Sequence, residues 1–211
     1  MFNEHYKLNL FKGKESKSGP GSDSDQTFAL KFELIKLCRD LNISSLIDFP
    51  CGDFNWMKDV IASLGISVYL GMDIVKILIE ENRRLYEGCS IPTVFFKQSD
   101  IVTDDIPSAD LLLCRDCLVH LSFDSATKAL HNMAKSNVKY FLITTFTNDQ
   151  WINMNFVDGT NWYPINMMKS PFNLPVPMIL INEECTEGGG DYADKSLGLW
   201  TNEELKKVCG I

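Results

Sequence analysis

The stretch Leu46-Ile47-Asp48-Phe49-Pro50-Cys51-Gly52-Asp53-Phe54-Asn55-Trp56 constrains the fold more than any other part of the chain. The run from Ile43 is short and apolar, with Asn and Ser before it and Pro-Cys-Gly-Asp after it. That is the pattern of a strand covered on both faces, followed by a sharp turn and a helix start. A turn at the carboxyl end of a buried strand brings backbone N–H groups close to a ligand. Gly52 permits the approach because it has no Cβ. Asp48 and Asp53 put two carboxylates beside that turn. A turn built for phosphate would avoid them; a ligand with positive charge and donor groups suits them.

The rest of the chain repeats the strand–helix unit. Strands are expected at 45–49, 67–73, 93–98, 109–114 and 139–145, and helices at 25–40, 55–64, 75–86 and 122–136. In the first helix Phe28, Phe32, Ile35, Leu37 and Cys38 form the apolar stripe; in the third, Ile77, Leu78 and Leu85 face inward. Two closing strands, 178–182 and 195–200, are joined through Glu187-Gly-Gly-Gly-Asp191 and suit an antiparallel pair. Thr201 with Glu204 gives capping-box spacing for a final helix. Alternation of this kind implies an α/β fold, a mostly parallel sheet with helices on both faces. With 211 residues one domain is expected, 25–211, preceded by an arm over 1–24.

A formal charge of −8 argues against nucleic acid or an anionic membrane as partner. No apolar run is long enough to span a bilayer, and no signal peptide opens the sequence. Seven cysteines are scattered, Cys89 among them. The Cys114-Arg-Asp-Cys117 pair has no second pair or histidine cluster to complete a metal site. Buried free thiols in a reducing compartment follow, which places the chain in a cytoplasm, the host's if the chain is viral.

Asp73 ends the second strand 25 residues after Asp48, where an acidic side chain hydrogen-bonds ribose hydroxyls in dinucleotide folds; Ile74 follows it. Asp100 and Ile101 follow the third strand, and Arg115, Asp116 and His120 follow the fourth. The carboxyl ends of such strands border the ligand crevice.

Asp48-Phe-Pro-Cys-Gly52-Asp-Phe resembles the first motif of class I S-adenosylmethionine-dependent methyltransferases, acidic-x-Gly-x-Gly-x-Gly. Only the middle glycine is kept; Pro50 and Phe54 stand at the other two. The resemblance implies a Rossmann-like sheet in the order 3-2-1-4-5-7-6 with strand seven antiparallel. It implies S-adenosylmethionine as cofactor and S-adenosylhomocysteine as product. It also implies a cofactor site of Asp48, Phe49, Pro50, Cys51, Gly52, Asp53, Trp56, Asp73, Ile74, Asp100, Ile101 and Arg115, with Trp56 equally suited to the core. Asp100 would accept from the adenine amino group, and Ile101 would pack on the ring. Glu15-Ser-Lys-Ser18-Gly-Pro-Gly21-Ser22 resembles an entry segment of one bacterial and viral branch. There the loop, through Ser18, Gly21 and Ser22, would cover the cofactor's amino-acid end; a plain linker is the alternative. The arm, the turn and the tail Tyr192-Ala-Asp-Lys-Ser-Leu-Gly-Leu-Trp200 are similar to sugar O-methyltransferase domains of chlorovirus and bacterial glycan synthesis. That similarity implies a glycan acceptor, such as a terminal rhamnose, and a domain fused to glycosyltransferase domains in a longer chain.

Methyl transfer to a sugar hydroxyl needs alignment and a base, since the hydroxyl is a poor nucleophile. His120 and Asp116 are the candidates, with Asp158 third. Asp116, Asp149 and Asp158 are an alternative ligand set for a divalent metal. The segment 146–176 is long and rich in planar and aromatic side chains, and Asn148, Trp151, Asn155, Asn161, Trp162 and Tyr163 are its candidate acceptor contacts. A lid packing its own aromatics is the other reading. Small-molecule or protein methylation on the same fold, a nucleotide-binding oxidoreductase and a non-catalytic nucleotide-binding module remain as alternatives.

Overall fold

The computed structural model describes residues 2–88, 92–159 and 162–211, so Cys89 and Asn161 lie outside the described residues. Seven strands form one sheet in the order β3-β2-β1-β4-β5-β7-β6, with helices around it. The chain divides into two compact units, up to Ser99 and from Asp100 onward.

The first unit opens with helix α1 (Phe2–Lys7) and continues through the arm to α2 (Phe28–Asp40). Strand β1 (Ser45–Asp48) leads through the turn to a short α3 (Met57–Val60). A one-turn 3-10 helix, Ile61–Ser63, completes the segment expected as a single longer helix. Next come β2 (Val68–Asp73), α4 (Lys76–Tyr86) and β3 (Thr93–Gln98). Strands β1, β2 and β3 are parallel, with Asp48 opposite Gly71 and Asp73 opposite Gln98. The inward stripe of α2 is Leu30, Leu34, Leu37 and Cys38; Leu37 and Cys38 are as expected, and Leu30 and Leu34 stand in place of Phe28 and Phe32. Phe28 and Phe32 lie on the outer face and pack edge-on against each other at 5.1 Å. In α4 the buried positions are Leu78, Ile79 and Asn82, while Leu85 is exposed.

The second unit holds β4 (Ala109–Cys114), α5 (Phe123–Lys135), β5 (Val138–Phe146), β6 (Ile179–Asn182), β7 (Lys195–Thr201) and α6 (Asn202–Cys209). Leu111, Leu112 and Leu113 are fully buried in succession, as a strand covered on both faces requires. Strands β4 and β5 are parallel, and β7 runs antiparallel to both β5 and β6. The capping box of Thr201 and Glu204 is formed. None of the helices among the described residues is long and apolar enough to cross a membrane.

Candidate active site

The turn after β1 is held from three directions. The Cys51 N–H donates to Met72 O at 2.8 Å, which continues the ladder one residue beyond the strand. Gly52 takes a positive φ of 53° and points its N–H at Asp73 Oδ2, 3.1 Å away. The other oxygen of Asp73 accepts from the Val75 N–H at 2.9 Å. Asn82 of α4 donates its amide to Gly52 O at 2.8 Å, and the Tyr69 hydroxyl donates to Asp48 Oδ2 at 2.7 Å. Behind the turn Phe54 packs against Tyr69, Tyr86 and Phe96 with ring centroids 5.0–5.3 Å apart. Asn82 and Tyr69 are parts of this site that sequence reasoning missed; the only signal for Asn82 is an amide on the inward stripe of an otherwise apolar helix face.

The arm docks on the same turn. Asp23 gathers the N–H groups of Lys14, Glu15 and Ser16 at 2.9–3.0 Å and folds residues 14–23 into a compact loop. The Ser16 hydroxyl and the Lys17 N–H both donate to the Asp53 carboxylate at 2.8 Å. The Asp53 N–H donates to Ser18 Oγ at 2.9 Å, and the Asn55 amide donates to Ser22 O at 3.1 Å. A Cβ on Gly52 would stand 2.6 Å from Ser18 Oγ, so the glycine is what lets the arm close on the turn. Among the described residues the arm is therefore a docked loop. Its N–H groups from Lys14 to Ser18 are spent inside the protein, on Asp23, Asp53 and Ser16 Oγ. Gly21 and Ser22 form a 3-10 turn with Pro20.

Asp48 and Asp73 are buried. Burial pushes the Asp73 carboxyl up to about 6, against the pull of its backbone N–H partners. Burial, with Asp73 and Asp48 nearby, also pushes the Cys51 thiol up, which makes it an inert wall. Phe49 and Trp56 are core residues, Ile74 is exposed, and Pro50 is partly buried. Asp100, at the start of the second unit, accepts the Val102 N–H at 2.9 Å in a tight turn, and Ile101 beside it is buried.

The residues after β4 form a charged cluster. Arg115 is buried and donates twice to Glu183 Oε2, at 2.9 Å from Nε and 2.6 Å from Nη2. It forms an ion pair with Glu183 here. Lys195, buried at the head of β7, donates to Asp116 Oδ2 at 2.6 Å and lies 3.6 Å from Glu183. Asp116 has a φ of 52° and fixes its N–H on Thr144 Oγ1 at 2.8 Å. Burial alone would raise the Asp116 carboxyl; Lys195 and Arg115 outweigh it and hold the group at about 2. A carboxylate held that low is a weaker proton acceptor than a free one. His120 closes a 3-10 turn, half-buried, and its carbonyl accepts the Gly159 N–H at 2.8 Å. Glu183 and Lys195 were missed in the sequence, where each looks like an ordinary charge at a strand end.

The long segment turns most of its polar side chains inward. Asp158 accepts the Ser122 N–H at 2.5 Å and the Ser125 hydroxyl at 2.6 Å; Asn155 accepts the Phe123 N–H at 2.8 Å. Both hold the start of α5, whose N-cap is Ser122, so Asp158 has a structural role there. Asn148 is occupied by the Gln150 N–H at 3.0 Å. Trp151 donates its indole N–H to Asp194 at 3.1 Å and stacks on Tyr192 with centroids 5.9 Å apart. Trp162 meets Tyr192 edge-on at 4.9 Å, and Tyr163 packs on Phe156 at 5.4 Å. Trp151, Tyr192 and Trp162 thus make one aromatic group, with Trp162 exposed. Asp116, Asp149 and Asp158 are not brought together: Asp149 is exposed beside Lys169, and the described residues hold no cluster able to ligate a metal.

The sheet order and the acid-flanked glycine turn define the architecture of class I S-adenosylmethionine-dependent methyltransferases. Solved methyltransferases share it. The N-methyltransferase NodS of Bradyrhizobium japonicum is similar at 13% identity and a TM-score of 0.61, over 85% of this chain and 98% of that one. Human N-acetylserotonin methyltransferase in complex with SAM is similar at 12% identity and a TM-score of 0.54, over 93% and 65%. The methyltransferase domain of bacterial CtHen1 is similar at 13% and 0.51, over 58% and 67%. No family model matches the sequence, and no curated protein matches it.

Proposed function

We propose that the chain is an S-adenosylmethionine-dependent O-methyltransferase acting on a sugar hydroxyl, such as a terminal rhamnose of a glycan. The observation that carries the cofactor half is the turn itself. Gly52 is held open by Asp73 and Asn82 and roofed by the arm, on the sheet order of the methyltransferases. The site fits the group: buried Asp73 supplies a carboxylate beside the glycine turn, where ribose hydroxyls need an acceptor. S-adenosylmethionine supplies a methyl group already activated on a sulfonium. The chain's own work is to align the acceptor oxygen with it, worth roughly 7–11 kcal/mol of the barrier, and to receive the proton. His120 takes that proton at a ring nitrogen, because Asp116 is spent on Lys195 and Arg115. The aromatic group of Trp151, Trp162 and Tyr192 supports a sugar acceptor, whose C–H face packs on such rings.

The likeness to NodS, an N-methyltransferase, favours a second reading with a nitrogen acceptor on the same fold. Transfer of labelled methyl to a panel of glycosides, small alcohols, amines and proteins separates the two. Label in the glycosides, lost in His120→Ala, supports the proposal; label confined to amines or proteins overturns the sugar reading.

A further inference from the structure

The charged cluster after β4 has an oxygen left over. Strands β4, β5 and β6 run in one direction and β7 in the other, so the carboxyl ends of β4 and β6 and the start of β7 share one rim. Open α/β sheets take their ligands at that rim. It holds Arg115 and Asp116 after β4, Glu183 after β6 and Lys195 opening β7. Among the described residues two buried side-chain polar atoms have no hydrogen-bond partner, Glu183 Oε1 and Asn202 Oδ1. Asn202 stands beyond the far end of β7, where its amide donates to the Ser136 and Val138 carbonyls. Glu183 stands on the ligand rim. Its side chain is fully buried, and Arg115 and Lys195 both approach Oε2, at 2.6 and 3.6 Å. A buried carboxylate oxygen with no donor is rare in a folded protein. Asp116 repeats the arrangement nearer the solvent. Lys195 and Arg115 both approach its Oδ2, at 2.6 and 3.4 Å, and its side chain is 28% exposed. The aromatic group hangs on the same connection: Tyr192 lies between Glu183 and Lys195 in the chain, and Asp194 accepts the Trp151 indole N–H at 3.1 Å.

Resting on the sugar reading above, we propose that Asp116 Oδ1 and Glu183 Oε1 bind the acceptor, taking hydroxyl hydrogens from a neutral, polyhydroxylated ring that packs on the aromatic group. The cations hold one oxygen of each carboxylate and leave the other to accept a hydrogen bond. Exposure rises from Glu183 outward to Asp116, so Asp116 is the outer contact and Glu183 the inner one. An acceptor hydroxyl gives the orphan oxygen the donor that the protein does not. The same pair sets specificity: it accepts from O–H groups and repels an acceptor that carries a carboxylate or phosphate of its own.

Transfer of labelled methyl from S-adenosylmethionine to methyl rhamnoside, methyl glucoside and methyl glucuronide tests this. With the wild-type protein the neutral glycosides are expected to exceed the glucuronide at least about tenfold in kcat/KM. Asp116→Asn is expected to raise KM for the neutral glycosides about tenfold, to narrow their preference over the glucuronide several-fold, and to leave the affinity for S-adenosylhomocysteine unchanged by calorimetry. Glu183→Gln is expected to act in the same direction and stands in should thermal melting show the first variant unfolded. A glucuronide turned over as well as the neutral glycosides by the wild-type protein, or variants that lower all three acceptors by one factor, overturns the inference while the sugar reading stands. Label in none of the three overturns the sugar reading, and this inference with it.

Discussion

Asp73→Asn should make the free protein more stable at neutral pH while abolishing its capacity for cofactor. Asp73 is buried, and its carboxyl rises from an ordinary 3.8 to about 6. An acid with a raised folded-state pKa binds more protons folded than unfolded, so stability falls as pH rises from about 4 through 6. The rise of about 2.2 pH units, at about 1.36 kcal/mol each, makes the ionised group cost about 3 kcal/mol at pH 7.5. Asparagine carries no charge and escapes that cost. It also turns a donor toward either the Gly52 or the Val75 N–H, a loss of about 1–3 kcal/mol. The second term is present at every pH, whereas the first develops between about pH 4 and 6. Urea unfolding of both proteins at about pH 4.5 and 7.5 therefore isolates the electrostatic part: the stability difference should move by about 2–3 kcal/mol in favour of the variant as pH rises. Calorimetry should show S-adenosylhomocysteine binding lost in the same variant. A stability difference constant within about 1 kcal/mol between the two pH values would refute the argument that desolvation dominates this carboxylate.

Lys195→Met leaves buried Glu183 and half-buried Asp116 to Arg115 alone and should destabilise by about 3–5 kcal/mol; Asp116→Asn in the same chain should recover part of that in a double-mutant cycle by urea unfolding. Asp158→Asn weakens the bonds from the Ser122 N–H and Ser125 hydroxyl at the start of α5 by about 1–2 kcal/mol, measured by thermal melting, and should leave cofactor binding intact. Gly52→Ala drives a methyl into Ser18 Oγ from a residue already at positive φ. It should free the arm, seen as faster hydrogen exchange over 14–24, and weaken S-adenosylhomocysteine at least about tenfold.

What was legible in the sequence was what sheet geometry writes locally. Buried parallel strands show as unbroken apolar runs, so β4 was readable to its first and last residue, and the acids closing β1 and β2 were readable from their spacing. Amphipathic faces were harder. Phe28 and Phe32 suggest an inward stripe by their bulk, yet Leu30 and Leu34 bury it, because the stripe is set by what α2 packs against and not by which residues are largest. The arm's loop was visible as a run of turn formers, but its anchor was not: nothing near residue 16 signals that Asp53, 37 residues on, will accept its hydroxyl.

The charged cluster carries the same point into chemistry. Read in one dimension, Arg115-Asp116 followed by His120 is a catalytic-looking triple, with any of the three free to act. The antiparallel closing strands bring Glu183 and Lys195 across to it, separated from Asp116 by 67 and 79 residues. Those two residues decide the roles. Glu183 takes the guanidinium at Nε and Nη2, and Lys195 takes the carboxylate, so Asp116 keeps its charge and is a weaker proton acceptor. His120, the third of the group, follows them on a 3-10 turn and is the proton acceptor proposed above. The proposal of His120 as base therefore rests on the pairing of β7 with β5, a long-range fact that no local motif encodes.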